Sequence, residues 1–277
     1  MPAFLAALLV AVAPIAGMSE PQLDAKIAST HALPLPRRIN ELSRLFLGTP
    51  YVEYPLGEGG KGPEPQARWR VDGVDCQTYV ETVLAMANAR NLSEAKIVLD
   101  DIRYDGPPGF ETRNHFTEAQ WLPANAKKGY LKDAAPALDP KAPAETLVLK
   151  KSDWEQVPGL KRLQQANIPE GSFSVRYLPL AEAKQRAARI PDGTVWMTVR
   201  AEDPKRVVRI SHMGFVVRDG KKLLARHAST GDPKVVIEEP WPDFLARQET
   251  YKKWPVVGIA LARPLDGAVR VARLPRN

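Results

Sequence analysis

The stretch Ser211–Ser229, "SHMGFVVRDGKKLLARHAS", narrows the possible folds more than any other part of this 277-residue sequence. Two runs of aliphatic and β-branched residues flank Asp219-Gly220, a pair suited to a two-residue hairpin turn. Glycine takes positive φ there without steric cost, and aspartate tolerates it. "GTVWMTVR" before the stretch and "VVGIALAR" after it also read as short strands. Helical periodicity belongs to the first half of the chain. "PRRINELSRLF" puts Ile39, Leu42, Leu45 and Phe46 on one face. The run from Cys76 carries Val80, Val83, Leu84 and Ala87 at helical spacing, with Asp75 as its N-cap. Helices first and strands afterwards predict an α+β fold with an antiparallel sheet.

A turn at residues 219 and 220 fixes a register. Arg218 then faces Lys221, Val216 faces Leu223, Gly214 faces Ala225, and His212 faces His227. Two of the four histidines would lie directly opposite on one face, about 5 Å apart at Cβ. The chain has one cysteine, Cys76, at the start of a helix. A helix N-terminus favours a thiolate through its unpaired N–H groups and dipole, and the same groups can hold an oxyanion. An imidazole beside the thiol would act as base and then as acid, and a second polar group would orient it. Cys76, His212 and His227 are therefore the candidate catalytic residues. The same side chains, with His115, are also ordinary zinc ligands, although no C-x-x-C or H-E-x-x-H spacing occurs. A lone cysteine is equally at home as a small buried hydrophobe, and a histidine pair as surface decoration.

The first residues, "MPAFLAALLVAVAPIAG", hold an apolar run too short to span a bilayer but suited to a secretory signal. Residues 1–17 are read as that signal and 18–277 as a single domain, exported, with no stable membrane insertion once the signal is removed. One cysteine allows no intramolecular disulfide. The net charge of +7 comes from scattered basic residues without a basic-aromatic ladder, which argues against nucleic acid as a partner. It suits an anionic cell envelope. From Leu122 to Ile190 the chain turns rich in Pro and Lys and loses periodicity, and reads as an insertion over the core.

"GVDCQTYVET" resembles the nucleophile motif of the NlpC/p60 papain-like cell-wall hydrolases. "SHMGFVV" followed by "RHAS" resembles that superfamily's catalytic-histidine strand and the next strand with its third polar residue. More narrowly, "FLGTPYV", "DCQTYVET", "IRYDGPPGFETRNHFTEAQWL", "SHMGFV" and "HAS" stand in the order of a branch of exported N-acetylmuramoyl-L-alanine amidases. The resemblance runs from about Ile39 to Arg263. It implies a papain-like fold, with Cys76 as nucleophile, His212 as base and His227 as the residue orienting it. Tyr51, in "GTPYV", matches a tyrosine that helps the oxyanion, and a core-packing role is the alternative. Asp75 is an N-cap that could also touch substrate. Arg113 and His115 lie in "ETRNHF", where an arginine could hold a peptide carboxylate or form a loop salt bridge. The implied reaction needs no cofactor and cuts the N-acetylmuramoyl–L-alanine bond of peptidoglycan or muropeptides. The rivals are a γ-D-glutamyl–diamino acid endopeptidase or acyltransferase of the same fold, and a non-enzymatic metal or cell-wall binding module.

Overall fold

The computed structural model describes residues 15–60, 62–156, 161–164 and 168–275. Four helices come first: α1 (Glu20–Thr30), α2 (Leu35–Arg44), α3 (Cys76–Asn88) and α4 (Leu92–Arg103). α3 begins where the sequence places its cap. The Asp75 carboxylate accepts the Thr78 N–H at 2.7 Å, and the Thr78 hydroxyl oxygen accepts the Asp75 N–H at 3.0 Å, a reciprocal capping box. Every residue from Thr78 to Asn88 is buried, the state of a helix enclosed on all sides. Within it, Glu81 meets Arg103 of α4 at 2.5 Å, and both are almost wholly buried.

Next come α5 (Leu122–Lys128), β1 (Leu131–Asp133), α6 (Ala135–Leu138), β2 (Ala144–Leu149), α7 (Lys151–Trp154), β3 (Gly171–Arg176), β4 (Leu178–Pro179) and α8 (Leu180–Gln185). The chain ends with β5 (Thr194–Arg200), β6 (Ile210–Asp219), β7 (Lys222–Ala228), β8 (Val236–Pro240), α9 (Trp241–Gln248), β9 (Val256–Pro264) and α10 (Ala268–Val271). The main sheet is antiparallel, in the order β1-β9-β5-β6-β7-β8, with β4 also on β9. Strand alternation divides its residues between two cores. Val195, Met197, Met213, Phe215 and Ala260 pack with α1 to α4. Trp196, Val216, Ala225, Ile259 and Leu261 pack with Ala183 of α8 and with Trp241, Phe244 and Leu245 of α9. The sheet is thus the middle of three layers, with the Cys76 helix on one face. Segment 122–190 lends β1 and β4 to this sheet and forms a separate two-stranded sheet from β2 and β3.

Most of the expected signal, residues 1–14, lies outside the described residues. Ile15 is fully buried in the larger core, and its N–H donates to Leu45 O at 2.8 Å. Among the described residues, no helix is long and apolar enough to cross a membrane.

The hairpin differs from expectation by one residue. Asp219 is still in β6, paired with Lys222, so the turn is Gly220-Lys221. Gly220 has φ 57, as the first central residue of a type II′ turn requires. Arg218 therefore faces Leu223, and Val216 faces Ala225. Moving the turn by one residue moves each partner by two, which keeps every side chain on its face. His212 and His227 share a face as diagonal neighbours, not as a directly opposed pair. Replacing Gly220 with Ala, which resists positive φ, should cost about 1 kcal/mol in urea unfolding. Asp219→Ala, within regular strand, should stay within about 0.5 kcal/mol. A cost for Asp219→Ala well above that limit would restore the turn at 219–220, where both residues take positive φ.

Candidate active site

The β6–β7 ladder ends at Phe215 and Arg226. Gly214 comes next, and a Cβ there would meet Arg226 O at 2.4 Å, His227 Cβ at 2.7 Å and Trp196 Cζ2 at 2.8 Å. Only a hydrogen fits, so His227 sits close against β6 and reaches His212 diagonally. His212 Nε2 and His227 Nδ1 are 2.9 Å apart, and His227 Nε2 lies 2.9 Å from Glu239 Oε1. Arg247 of α9 donates to the same Glu239 oxygen. Burial works to raise the Glu239 carboxyl, but its bonds from His227 and Arg247 hold it below the usual range. An ionised carboxylate only accepts hydrogen bonds. His227 Nε2–H therefore donates to Glu239, and His227 Nδ1 accepts the Nε2–H of His212. That leaves Nδ1 of His212 as the free basic nitrogen of the chain.

Both imidazoles stand against Trp196, at 5.4 Å and 5.5 Å between ring centroids, and Phe244, packed on Trp196, lies on the same side of His227. Burial, then His227, Arg247 and Arg200, hold the His212 pKa well below its ordinary value. His212 is therefore neutral at neutral pH, as a base must be before it takes a proton.

Cys76 is half-buried at the first turn of α3. The Met213 N–H is directed at its thiol. Met213 follows His212 by one peptide bond, so the sulfur lies beside the backbone that carries the free imidazole. The hydrogen bonds of the imidazole pair run to each other and to Glu239, not to Cys76. A helix N-terminus by itself would favour a thiolate. Here burial first, and the Asp75 carboxylate second, push the thiol up to about 12 against the N–H groups of Met213, Gln77 and Cys76. The resting pair is a neutral thiol and a neutral imidazole. Asp75 serves as the N-cap, and burial pushes its own carboxyl upward despite its bonds from Thr78.

Tyr51 reaches the same place from the loop after α2. Its N–H donates to Lys234 O at 2.9 Å, and it bridges Val74, two residues before Cys76. Burial, then Cys76, raise its phenol, which stays a proton donor. Arg113 and His115 are held by partners of their own. Arg113 Nη1 is 3.1 Å from Glu58 and 2.7 Å from Glu64, with the guanidinium over Phe110. These are the contacts of a loop salt bridge. His115 Nε2–H donates to Phe110 O at 2.7 Å, and burial, then Arg113, lower its pKa to about 4.

Sequence reasoning missed Glu239 and Arg247. The usable signal was "VVIEEP", a short β-branched run ending in two carboxylates, which pairs with β7 so that Glu239 falls diagonal to His227.

Known proteins resemble this chain in family and in fold. The family described as AmiA-like, N-acetylmuramoyl-L-alanine amidase-like, matches residues 41–251. No curated protein matches the chain. Among solved structures, protein LPG0564 of Legionella pneumophila is similar at 26% identity and a TM-score of 0.79, over 89% of this chain and 94% of that one. An N-acetylmuramoyl-L-alanine amidase of Bacteroides uniformis shares the fold at 24% identity and a TM-score of 0.66, over 83% of this chain and 98% of its own.

The thiol's environment sets an expectation for its reactivity. Iodoacetamide should alkylate Cys76 more slowly than free cysteine at pH 7, with the rate still climbing above pH 9. Asp75→Asn keeps a capping side chain but removes the charge, so it should shift that rise to lower pH. A plateau near neutral pH in the unsubstituted protein would show a preformed thiolate instead.

Proposed function

The chain belongs to the AmiA-like family of N-acetylmuramoyl-L-alanine amidase-like proteins, and on that premise we propose that it hydrolyses the N-acetylmuramoyl–L-alanine bond with Cys76 as nucleophile. Family membership supports an amidase-like activity on peptidoglycan or muropeptides in general. The observation that carries the finer reading is the chain from His212 through His227 to Glu239, which leaves out Nδ1 of His212, while the N–H of the next residue, Met213, meets the Cys76 thiol.

The sulfur attacks the amide carbonyl as its proton passes to His212 Nδ1. The positive charge this creates is stabilised through His227 by Glu239. N–H groups at the start of α3 and the Tyr51 hydroxyl donate to the tetrahedral oxyanion. The C–N bond then breaks, and His212 returns the proton to the departing amine of L-alanine. Water, deprotonated by His212, hydrolyses the thioester and releases the muramic carboxylate with a free thiol. No cofactor takes part. This is the chemistry of the NlpC/p60 papain-like enzymes, carried by residues 18–277 as one domain with an insertion at 122–190. Residues 1–17, as an export signal, would deliver it to the periplasm or cell envelope, where its substrate lies. The zinc alternative fits the donors less well, because three of the four nitrogens of His212 and His227 are already used in hydrogen bonds.

Digestion of a soluble N-acetylmuramyl-peptide, read by mass spectrometry, tests the bond. The expected products are the muramic sugar and a peptide with an L-alanine amino terminus. A muramyl-dipeptide plus a peptide beginning with the diamino acid would make the protein an endopeptidase of the same fold. Cys76→Ala should abolish turnover while the fold survives. His212→Ala should cost about 10²- to 10⁴-fold in kcat, with smaller losses for His227→Gln and Glu239→Gln. Activity abolished by a chelator and restored by zinc would return the site to the metal reading.

A further inference from the structure

Arg200 stands at the end of β5, where the strand is irregular on both edges. The register against β6 shifts between Thr198 and Val199, and that against β9 shifts between Val199 and Arg200. Such bulges re-aim side chains and gather beside active sites. Here they turn Arg200 toward the strand that carries His212. Its Nε donates to the Ser211 hydroxyl at 2.7 Å, and Nη1 donates to Trp254 O at 2.6 Å. Its plane lies against two rings, 4.5 Å from that of Tyr251 and 5.2 Å from that of Trp254. The indole of Trp254 is held in turn by its N–H bond to Ala201 O at 3.0 Å. Ser211, the anchor for Nε, directly precedes His212, and the charge of Arg200 is one of those that depress the His212 pKa.

A side chain fixed in this way normally has a counter-charge. Arg226 has Glu238, Arg247 has Glu239 and Arg209 has Glu202. Among the described residues, no carboxylate lies within ion-pair distance of Arg200, although it is half-buried and burial lowers its pKa. Nη2 takes no part in the anchoring bonds. A guanidinium with its rotamer already fixed and one edge uncommitted loses little entropy on meeting a planar anion. Its position decides which part of a substrate it meets. The start of α3 and Tyr51 belong to the acyl side of the bond, while His212 protonates the departing amine. Whatever follows that amine therefore extends past His212 toward Ser211 and Arg200.

We propose that Arg200 is a substrate-binding residue, whose open guanidinium edge takes a carboxylate of the acidic peptide on the amine side of the bond cleaved at Cys76. This rests on the amidase reading above and specifies what it selects. The side chain after L-alanine must be anionic, and a peptide amidated at that carboxylate is a poor substrate.

Two muramyl-peptides that differ only in carrying a carboxylate or a carboxamide on the second residue test this. The unsubstituted enzyme should prefer the acid by about tenfold or more in kcat/KM, chiefly through KM, the scale of one charge-assisted contact. Arg200→Gln should abolish the preference, so that kcat/KM for the acid falls about tenfold or more relative to that for the amide, and Arg200→Lys should restore part of it. An enzyme indifferent to the carboxylate overturns the proposal without any variant, and so does an Arg200→Gln loss equal for both substrates. If neither peptide is cut, the bond assignment fails and a separate readout still decides the role of Arg200. That readout is protection of Cys76 from iodoacetamide by an L-alanyl acidic dipeptide or by its amide. Protection by the acid alone, lost in Arg200→Gln, upholds the anion site, and equal or absent protection refutes it.

Discussion

Up to Phe215 and Arg226 the strands of the long hairpin are joined by backbone bonds, and beyond that point two imidazoles hold them together. The 2.9 Å contact between His212 and His227 replaces the next rung of the ladder, and the rest of the site is arranged around it. It requires Gly214, because any side chain there would strike His227 and Trp196. It also requires β8, which brings Glu239 to the far nitrogen of His227. Where the ladder stops, the Met213 N–H is turned to the thiol at the start of α3. The place where two strands part is thus the place where helix, sheet and loop converge.

Charge is kept at the edge of this arrangement. Glu239 and Arg247 hold it as an ion pair, while burial leaves the thiol protonated and His212 neutral. In low dielectric, a thiolate–imidazolium pair would need good geometry and further hydrogen bonds to offset its desolvation. The neutral pair avoids that cost at rest. The proton then moves only as the carbon–sulfur bond forms, and Glu239 is already placed for the charge that appears on His212.

Much of this was legible in the sequence. The order of helices and strands, the Asp75 cap and the apolar spacing along α3 are local signals, and each appears in the structure. The hairpin turn was misplaced by one residue for a definable reason. Glycine satisfies both the second position of a type I′ turn and the first of a type II′ turn. A shift of two in pairing leaves every residue on its original face, so the alternation of Val216, Val217 and Leu224 could not choose between them. Glu239 was missed because β8 is short and lies beyond a loop, and only its pairing with β7 reveals the diagonal to His227. The partners of Arg113 were hidden by distance along the chain: Glu58 and Glu64 come from a loop some fifty residues earlier.

The pairing of β7 with β8 carries a further consequence. Arg226 and His227 are consecutive and point to opposite faces, as do Glu238 and Glu239. Arg226, fully buried, binds Glu238 and fastens α2 through Asn40 O at 2.8 Å and the Ser43 hydroxyl at 2.6 Å. On the other face His227 takes Glu239. If β8 docked one residue out of step, both carboxylates would exchange faces. The buried guanidinium and the imidazole would lose their partners together. Mispaired chains would therefore be both unstable and inert, and would not persist as a compact, inactive population. Selection for a sound core and selection for a working site act on the same strand alignment, so neither can drift without the other.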